Sequence, residues 1–536
     1  MTQEHVDVLI VGAGPVGTAL AIDLTRRGLA VRLVDKAAEA FPGSRAKGVQ
    51  PRTLEVFDDL GVREDVLARG SRYPKLGIHL GPLTVPKAMY PHRPHSSAVP
   101  YPDTLLIPQN RTDAALHAQL RRLGGRVEFD TELIELRQHD SAVTATLTGP
   151  AGTHTVTASY LVGADGASST VRKQCGITFT GTTDDADRIL IVDAVTTGLR
   201  RDRWHVWPAP PGRFMGACPL PHSDLFQWMI KLRSGEEPPA DAAQINARIR
   251  GRTGSKKIQL RDVAWRSVFR PNIRLADRYR HGRVFLAGDA AHVHTPAGAQ
   301  GLNTGVQDAY NLAWKLAQVH AGAHERLLDT YEGERRPIAA AVLGLSTEKY
   351  QGMAKLRPSS IKRGQDESQL NLTYHGGPLA PPTTDRTTTL HVGDRAPDAE
   401  LRDRERTDVR LHTQLRGPHF TAIAYGPHAA QALSALPWPN RGSGLCRLVI
   451  DTDADRTAEP PADAVLTDPG HTFREAYGVT TDVLILVRPD GYIAHIAERD
   501  FLASTRAAAA VMTPRETDEA PGTTTSTPPA GQAPRP

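Results

Sequence analysis

Apolar and polar positions change period several times along the chain, and each change marks a new element. Residues 5–11 alternate into an apolar strand, residues 16–27 follow helical spacing after a glycine turn, and residues 30–34 form a second apolar run that ends at Asp35. That order is a βαβ unit, the smallest piece of a parallel sheet. Residues 53–61 and 112–123 carry helical periodicity. Residues 126–130, 142–148 and 155–158 are expected to pair as antiparallel strands, and residues 160–162 to form a short strand running into Gly163-Ala164-Asp165-Gly166. From 180 to 270 the texture becomes short β-like runs, at 189–194, 204–207, 214–219 and 225–232, with turn residues between them. The apolar run 284–287 then ends in Gly288-Asp289, a loop carrying Pro296, Gly298, Gly301 and Gly305 follows, and the spacing over 306–316 predicts an amphipathic helix. Helical periodicity covers 306–321 and resumes over 325–351. Further on, runs at 420–425, 446–451, 483–488 and 492–496, the last two joined by Pro489-Asp490-Gly491, predict a small α/β sandwich.

The expected fold class is α/β. A Rossmann-like dinucleotide-binding domain spans 1–179 and 271–352, and a sheet-based domain at 180–270 is inserted into it. A polar Pro/Gly-rich linker at 353–390 leads to a third domain at 391–511. The tail at 512–536 is too poor in apolar residues to order itself.

Composition narrows the function. The chain has 536 residues, about three domains' worth at roughly 150 residues each. With 40% hydrophobic and 23% charged residues it reads as a globular protein. It lacks an apolar run long enough for a membrane span, and its N-terminus reads as a strand and not a leader, so a cytoplasmic location is expected. Cys175, Cys218 and Cys446 are far apart and form no CxxC, which argues against a disulfide framework or a zinc site. The net charge of +5 is mild, and no basic stripe with interleaved aromatics appears. Nucleic acid is therefore not an expected partner.

Three motifs carry the chemistry. In Gly12-x-Gly14-x-x-Gly17, the first glycine permits a tight turn and the second lets backbone approach a pyrophosphate at a helix N-terminus. The third allows close helix–strand packing. Asp35 then stands where a carboxylate can accept from ribose hydroxyls. These residues alone leave NAD and FAD both open. The second motif is residues 163–172, an aspartate at a strand end followed by a helix start with Ser169 and Arg172; by itself it also reads as a capped turn. The third is residues 283–316, where a buried strand delivers Asp289 to a glycine-rich helix N-terminus suited to polar or anionic ligands. His292 and His294 flank Val293, but no further ligands fall in register, so no metal is expected.

Together and in this order, the motifs resemble those of the class A flavoprotein monooxygenases, the family of para-hydroxybenzoate hydroxylase, over roughly residues 5–350. The resemblance implies FAD, with Gly12, Gly14, Pro15, Val16 and Gly17 at its pyrophosphate and Asp35 and Lys36 at its adenosine end. Asp165 would lie near the pyrophosphate and Asp289 on the ribityl chain. The loop from Ala299 to Asn303, with Gly301 and Leu302 in it, would offer backbone N–H groups to the N1/O2 edge of the flavin, where negative charge develops, and Gly298 beside it is a further cofactor contact. Pro296 would lie beside the isoalloxazine, and Ala299 stands where the family usually shows a second glycine. Arg45 and Gln109 look like the family's arginine after the second strand and its FAD-contacting glutamine, and Leu133 sits where the family's backbone meets the adenine. Arg45 and Pro296 are the candidates for a catalytic role.

Residues 392–397 and 486–492 look like the thioredoxin-like C-terminal domain of the phenol hydroxylase branch, which includes aromatic polyketide hydroxylases and rifampicin monooxygenase. With Cys446 as its one cysteine, this domain lacks thioredoxin's CxxC chemistry and is expected to be structural or a dimer contact.

The resemblance implies hydroxylation of a small aromatic molecule by FAD, with NADPH or NADH as reductant and O2 as co-substrate. A polycyclic polyketide or related antibiotic is the expected substrate, and a monomer or homodimer the expected state. Trp204, Trp207, Phe214, Phe226 and Trp228 are the candidate substrate contacts. A catabolic oxygenase of a simple phenol, and Baeyer–Villiger or epoxidising chemistry, remain alternatives, because the fold does not choose among them. So do two other classes, a ligand-responsive flavin-binding protein without turnover and an NAD-only dehydrogenase.

Overall fold

A computed structural model describes residues 4–90, 96–209, 214–295, 300–354, 366–381, 389–451 and 462–515. Its first sheet has eight strands. Glu4–Val11 lies at the centre, paired in parallel with Val31–Val34 on one side and Gly152–Gly163 on the other. Val284–Leu286 continues the parallel order beyond Gly152–Gly163. The near-continuous apolar runs at these positions follow from burial on both faces: Val8, Leu9, Ile10, Leu161, Val162, Val284, Phe285 and Leu286 are all fully buried.

Two expectations about this sheet are corrected. The run at 126–130 reduces to Val127–Glu128, which pairs in parallel with Val31–Val34 and not antiparallel. The helix Gln109–Arg122 that precedes it is the crossover that a parallel neighbour requires. Residues 155–158 and 160–162 are one strand, Gly152–Gly163; the polar Ser159 interrupts the sequence pattern but not the strand. The first part of this strand pairs antiparallel with Val143–Gly149, which in turn pairs with Glu132–Gln138.

The second large sheet has seven strands, in the order Gln259–Phe269, Ile189–Thr197, Leu225–Lys231, Met215–Pro219, Arg203–Trp207, Lys75–Leu80 and Leu83–Lys87. Its last two strands come from residues 75–87, far outside the 180–270 stretch expected to build it. Lys75–Leu80 pairs in parallel with Arg203–Trp207. The helix Ala242–Thr253, capped by Asp241 and ended by Gly254 in the left-handed region, covers one face. Phe179–Thr183, Asn272–Ala276 and His292–Val293 form a small bridging sheet between the two regions.

The helix Gly301–His320 departs from the amphipathic expectation: every residue from 303 to 318 is buried. It packs against Pro15–Arg26, Pro51–Asp59 and Arg326–Ala354. The C-terminal sheet also reaches it, since Trp314 shares an apolar cluster with Phe420, Leu484 and Leu486. That third sheet has seven strands in mixed order, with Phe420–Tyr425, Leu445–Asp451 and Ala464–Thr467 parallel and Val483–Val487 and Ile493–Ala497 antiparallel. Successive residues of Phe420–Tyr425 alternate between two clusters, one facing the helix Gly301–His320 and one facing the helix Thr472–Tyr477. The described part of the linker is packed, with Glu367, Ser368, Gln369 and Tyr374 buried. Met512 and Thr513 are buried as well, so ordered structure runs past the expected start of the tail at 512, whose remainder from 516 lies outside the described residues.

Candidate functional site at the carboxyl ends of the parallel strands

Register decides where the three motifs meet. Val11 pairs with Gly163 and with Val34, and Gly163 pairs with Leu286, so four strands end at one level. Ala13, Asp35, Ala164 and Gly288 therefore emerge side by side, at the edge where open α/β sheets hold their ligands. Contacts lock the junction. Gly12 has φ of +105°, and a Cβ there would stand 2.4 Å from the Ala164 carbonyl oxygen. A Cβ on Gly305 would stand 2.7 Å from Val16 and 3.0 Å from the Gly288 Cα. Glycine thus allows the first motif to touch both of the others.

Two helices point their N-termini at this edge, Pro15–Arg26 behind Gly14 and Gly301–His320 behind Gln300, and among the described residues neither has a side-chain cap. A Cβ on Gly14 would meet nothing within 4 Å, so the first of these termini faces open space. The short helix Thr170–Gln174 beside them is capped twice, by Ser169 and by Asp165 Oδ2, which accepts from the N–H groups of Thr170 (2.7 Å) and Val171 (3.1 Å). Uncapped N–H groups carrying partial positive charge suit the phosphates and the electron-rich flavin edge.

The acidic residues play different parts. Asp35 Oδ2 accepts from the Ala13 N–H at 2.7 Å and Oδ1 from the Ala37 N–H at 2.8 Å, so it braces the glycine turn. Asp165 Oδ1 is buried without a hydrogen-bond partner among the described residues. Asp289 is half-buried, and no hydrogen bond to its carboxylate is seen among the described residues. A side chain begun at Gly301 would lie 3.9 Å from Asp289 Oδ1, which places that carboxylate beside the second helix N-terminus. This donor and acceptor set fits a ligand with phosphates at one end and hydroxyls in the middle, which is the make-up of FAD.

The remaining candidates spread along the same edge. Gln109 starts its helix, and its Oε1 accepts weakly from the Ala46 N–H at 3.4 Å. One turn on, burial pushes the Asp113 carboxyl up to about 8, with the charge of Asp35 adding to the effect. Leu133 is buried in the strand Glu132–Gln138, while Lys36 and Arg45 are exposed. Pro296, Gly298 and Ala299 lie outside the described residues. Gly301 and Leu302 open the second helix, and Asn303 is fully buried. The Asn303 amide donates to Gly48 O (2.9 Å) and accepts from the Gln50 N–H (2.8 Å), which clamps segment 48–50 to that helix start.

The two histidines of the third motif take part in a polar brace. His292 lies 2.6 Å from Asp308 Oδ2 through Nε2 and 2.8 Å from His294 through Nδ1. Asp308 also accepts from the Gly288 N–H (3.1 Å) and from Arg335 Nε (2.8 Å). Burial alone would raise the Asp308 pKa, but His292 and Arg335 hold it below the ordinary carboxylate range.

The aromatic candidates of the second sheet divide between its faces. Trp207, Phe226 and Trp228 sit in the cluster that includes Ile245 and Ile249 of the covering helix, so they are core residues there and do not face the strand-end junction. Strand alternation is the reason: Phe226, Trp228 and Ile230 share one face, and Gln227 and Met229 the other. Trp204 lies on the inner face, 6.4 Å from the ring of Tyr73. Phe214 precedes the strand Met215–Pro219, and its carbonyl accepts from the Lys231 N–H at 3.1 Å. The inner face also holds residues that sequence reasoning missed, namely Lys47, Asp193 and Gln227, with Ser44 among them. Ser44 and Lys47 stand on either side of Arg45 in the sequence, and only packing against a distant sheet gives them a role.

Fold and site define a dinucleotide-binding α/β protein with a second sheet facing the junction. Residues 5–346 match the FAD binding domain family. A flavin-dependent monooxygenase of Mycobacteroides abscessus is 41% identical over 498 residues, covering 92% of this chain and 97% of that one. The 6-methylpretetramide 4-monooxygenase of Streptomyces rimosus is 33% identical, covering 96% of this chain and 95% of that one. The crystal structure of aklavinone-11 hydroxylase with FAD and aklavinone superposes with a TM-score of 0.79 at 26% identity, over 96% of this chain and 100% of that one. The chain belongs to this family and is an FAD-dependent aromatic monooxygenase. Among the described residues no helix is long and apolar enough to cross a membrane.

Proposed function

We propose that the protein hydroxylates a phenolic ring of a polycyclic, polyketide-type molecule, with NAD(P)H as reductant. The observation that carries this reading is the convergence of three motifs and two uncapped helix N-termini on one strand-end edge, facing a sheet whose inner face bears Trp204. Relatives named for 6-methylpretetramide and aklavinone support the substrate class. When bound, FAD supplies electron transfer from NAD(P)H to O2, so that one oxygen atom enters the ring and the other leaves as water.

In this reading, residues 12–17 hold the pyrophosphate at the first helix N-terminus. Asp35, Lys36, Gln109 and Leu133 surround the adenosine, and Asp165 lies near the pyrophosphate. Asp289 accepts from the ribityl hydroxyls, and the N–H groups of Gly301, Leu302 and Asn303 stabilise negative charge at the flavin's pyrimidine edge. Pro296, Gly298, Ala299 and Arg45 flank the ring system, and Trp204 and Phe214 face substrate. The domains follow the expected boundaries, except that residues 75–87 belong with the second sheet and the third domain runs past 512. The domain at 391–511 is thioredoxin-like in form. Burial pushes the Cys446 thiol up to about 11, which suits a structural part.

The test is a screen of polycyclic phenols, anhydrotetracycline among them, for stimulated NADPH and NADH oxidation by the purified yellow protein, followed by product mass. A product heavier by one oxygen atom is expected. Flavin absorbance near about 450 nm with no phenol-stimulated oxidation would favour a binding protein, and oxidation that yields only peroxide would mean the true substrate lies in another class.

A further inference from the structure

Between the helix start at Gly301–Asn303 and the inner face of the second sheet runs segment 44–50, and Lys47 lies at its centre. Its ammonium group is almost fully buried, yet among the described residues no carboxylate lies within ion-pair distance. Its neighbours are the Gln227 side-chain oxygen, to which Nζ donates, the Met229 sulfur at 3.8 Å, and the face of Trp204 at 4.6 Å. A directed chain leads away from it. Gln227 Nε2 donates to Ser44 Oγ (2.5 Å), and Ser44 Oγ donates to Asp193 Oδ1 (2.5 Å). Asp193 is also held by the Ser44 N–H at 2.7 Å, so the one nearby carboxyl group is engaged through an amide and a hydroxyl and never reaches the lysine. Close by, Trp204 Nε1 is a buried donor without an acceptor among the described residues.

A buried cation without an anion is costly, and so is a buried donor without an acceptor. Both deficits are met by one ligand feature, an anionic oxygen on a flat aromatic body. We propose that Lys47 is the residue that binds and holds the ionised phenolic oxygen of the substrate, with Trp204 beside it. This rests on the hydroxylase reading above and names the activating group within it. The phenolic O–H bond breaks, its proton joins the Lys47 amine, and the resulting ammonium pairs with the phenolate oxygen; no electrons change hands in that step. The phenolate ring is richer in electrons and reacts more readily with an electrophilic oxygen. Asn303 ties Gly48, the next residue, to the helix start expected at the flavin, so the proton acceptor stands within one residue of the cofactor's frame. Burial lowers the Lys47 pKa, which keeps a fraction of neutral amine available as acceptor. The other ionisable groups facing it are Asp193, whose pKa burial raises, and Cys218, whose thiol burial pushes up to about 11; Tyr73 donates to the Lys47 carbonyl at 2.9 Å.

The test uses alizarin, a polycyclic phenol whose colour reports its ionisation, titrated with pH on the intact FAD-loaded enzyme. In the wild type the apparent pKa of the bound dye should fall by about one unit, a tenfold shift. Lys47→Arg should keep that shift, because it keeps the positive charge, and Lys47→Met should abolish it while retaining flavin absorbance and melting no lower than wild type. Asp193→Asn should leave the shift in place. A dye that ionises on the wild type as it does in water, a shift that survives in Lys47→Met, or no binding of alizarin to the wild type would each overturn the proposal. Phenol-stimulated NADPH oxidation in the same preparation reports separately on the hydroxylase reading, which can stand when the lysine proposal falls.

Discussion

Lys315 and Lys47 are both buried ammonium groups, and their surroundings are opposite. Lys315 donates to Glu334 at 2.7 Å and to Asn311 at 2.9 Å, and Glu334 also receives Arg488 at 2.6 Å. Arg488 pairs in turn with Asp490, whose Oδ2 accepts from Trp314 Nε1 at 3.2 Å. Every charge in that cluster has an opposite charge in contact, and it joins the helix Gly301–His320 to the C-terminal sheet. Among the described residues Lys47 has only neutral contacts, and it faces the region proposed for substrate. Buried charge as such therefore does not mark a functional position; an internally paired group is architecture, and an incompletely paired one beside a cofactor edge is where a ligand's charge fits.

The largest effect should come from breaking the paired cluster. Glu334→Ala strands Lys315 without an anion and leaves Arg488 with Asp490 alone, and about 3–5 kcal/mol of stability should be lost in urea unfolding of the flavin-loaded protein. The pH dependence follows from the same pairing. Burial would raise the Glu334 pKa, but Arg488 and Lys315 hold it down at about 2. This contribution is complete above the ordinary glutamate range and is lost as pH falls toward about 2, so acid unfolding of the wild type should be steeper than that of Glu334→Gln. A change under about 1 kcal/mol would mean the cluster contributes little.

Asp113 tests the opposite sign. Its carboxyl stays neutral in the fold up to about 8 but ionises at ordinary acidic pH once unfolded. The wild type should therefore lose stability progressively from about pH 4 to about pH 8, and Asp113→Asn should remove that slope, a gain of about 2–4 kcal/mol at neutral pH. Parallel stability curves for the two proteins would refute the burial argument.

Asp289 sharpens the distinction for an anion. No hydrogen bond to its carboxylate is seen among the described residues, so Asp289→Ala should leave the unfolding of the apoprotein near wild type. FAD affinity should weaken by about 1.5–3 kcal/mol, the worth of hydrogen bonds to a charged group. Fluorescence titration of FAD would measure this, and unchanged affinity would remove Asp289 from the ribityl assignment.

The smallest effect, and of reversed sign, belongs to Lys47→Met. Methionine keeps the stem and removes an ammonium without a counter-ion, so stability should rise by about 1 kcal/mol. A clear loss of stability would make Lys47 a structural member like Lys315.

Much of the fold was legible because its signals are local. The βαβ unit, the antiparallel run at 142–158 and the C-terminal strands each lie within a short window whose period reports one element. The three motifs were legible because turn chemistry and helix starts need particular residues at fixed spacing. The helix Gly301–His320 was misread as amphipathic because its Asp308, Asn311 and Lys315 look solvent-facing until their partners Arg335, Glu334 and Asp490 are seen. Trp207, Phe226 and Trp228 were placed with substrate because an aromatic strand does not state which face will be covered by a helix. Strands Lys75–Leu80 and Leu83–Lys87 escaped the second sheet because their partner Arg203–Trp207 lies far along the chain.

Sequence alone determined the class of cofactor site, since Gly12, Gly14, Gly17, Asp165 and Asp289 carry backbone and charge requirements that few other residues satisfy at those spacings. Tertiary structure decided how they act together. Register brings Val11, Val34, Gly163 and Leu286 to one level, and no local pattern encodes the register between distant parallel strands. It also decided which buried charges are paired and which are not. Lys47 and Lys315 are the same residue type, and only the neighbours supplied by distant parts of the chain make one a brace and leave the other open to a ligand's charge.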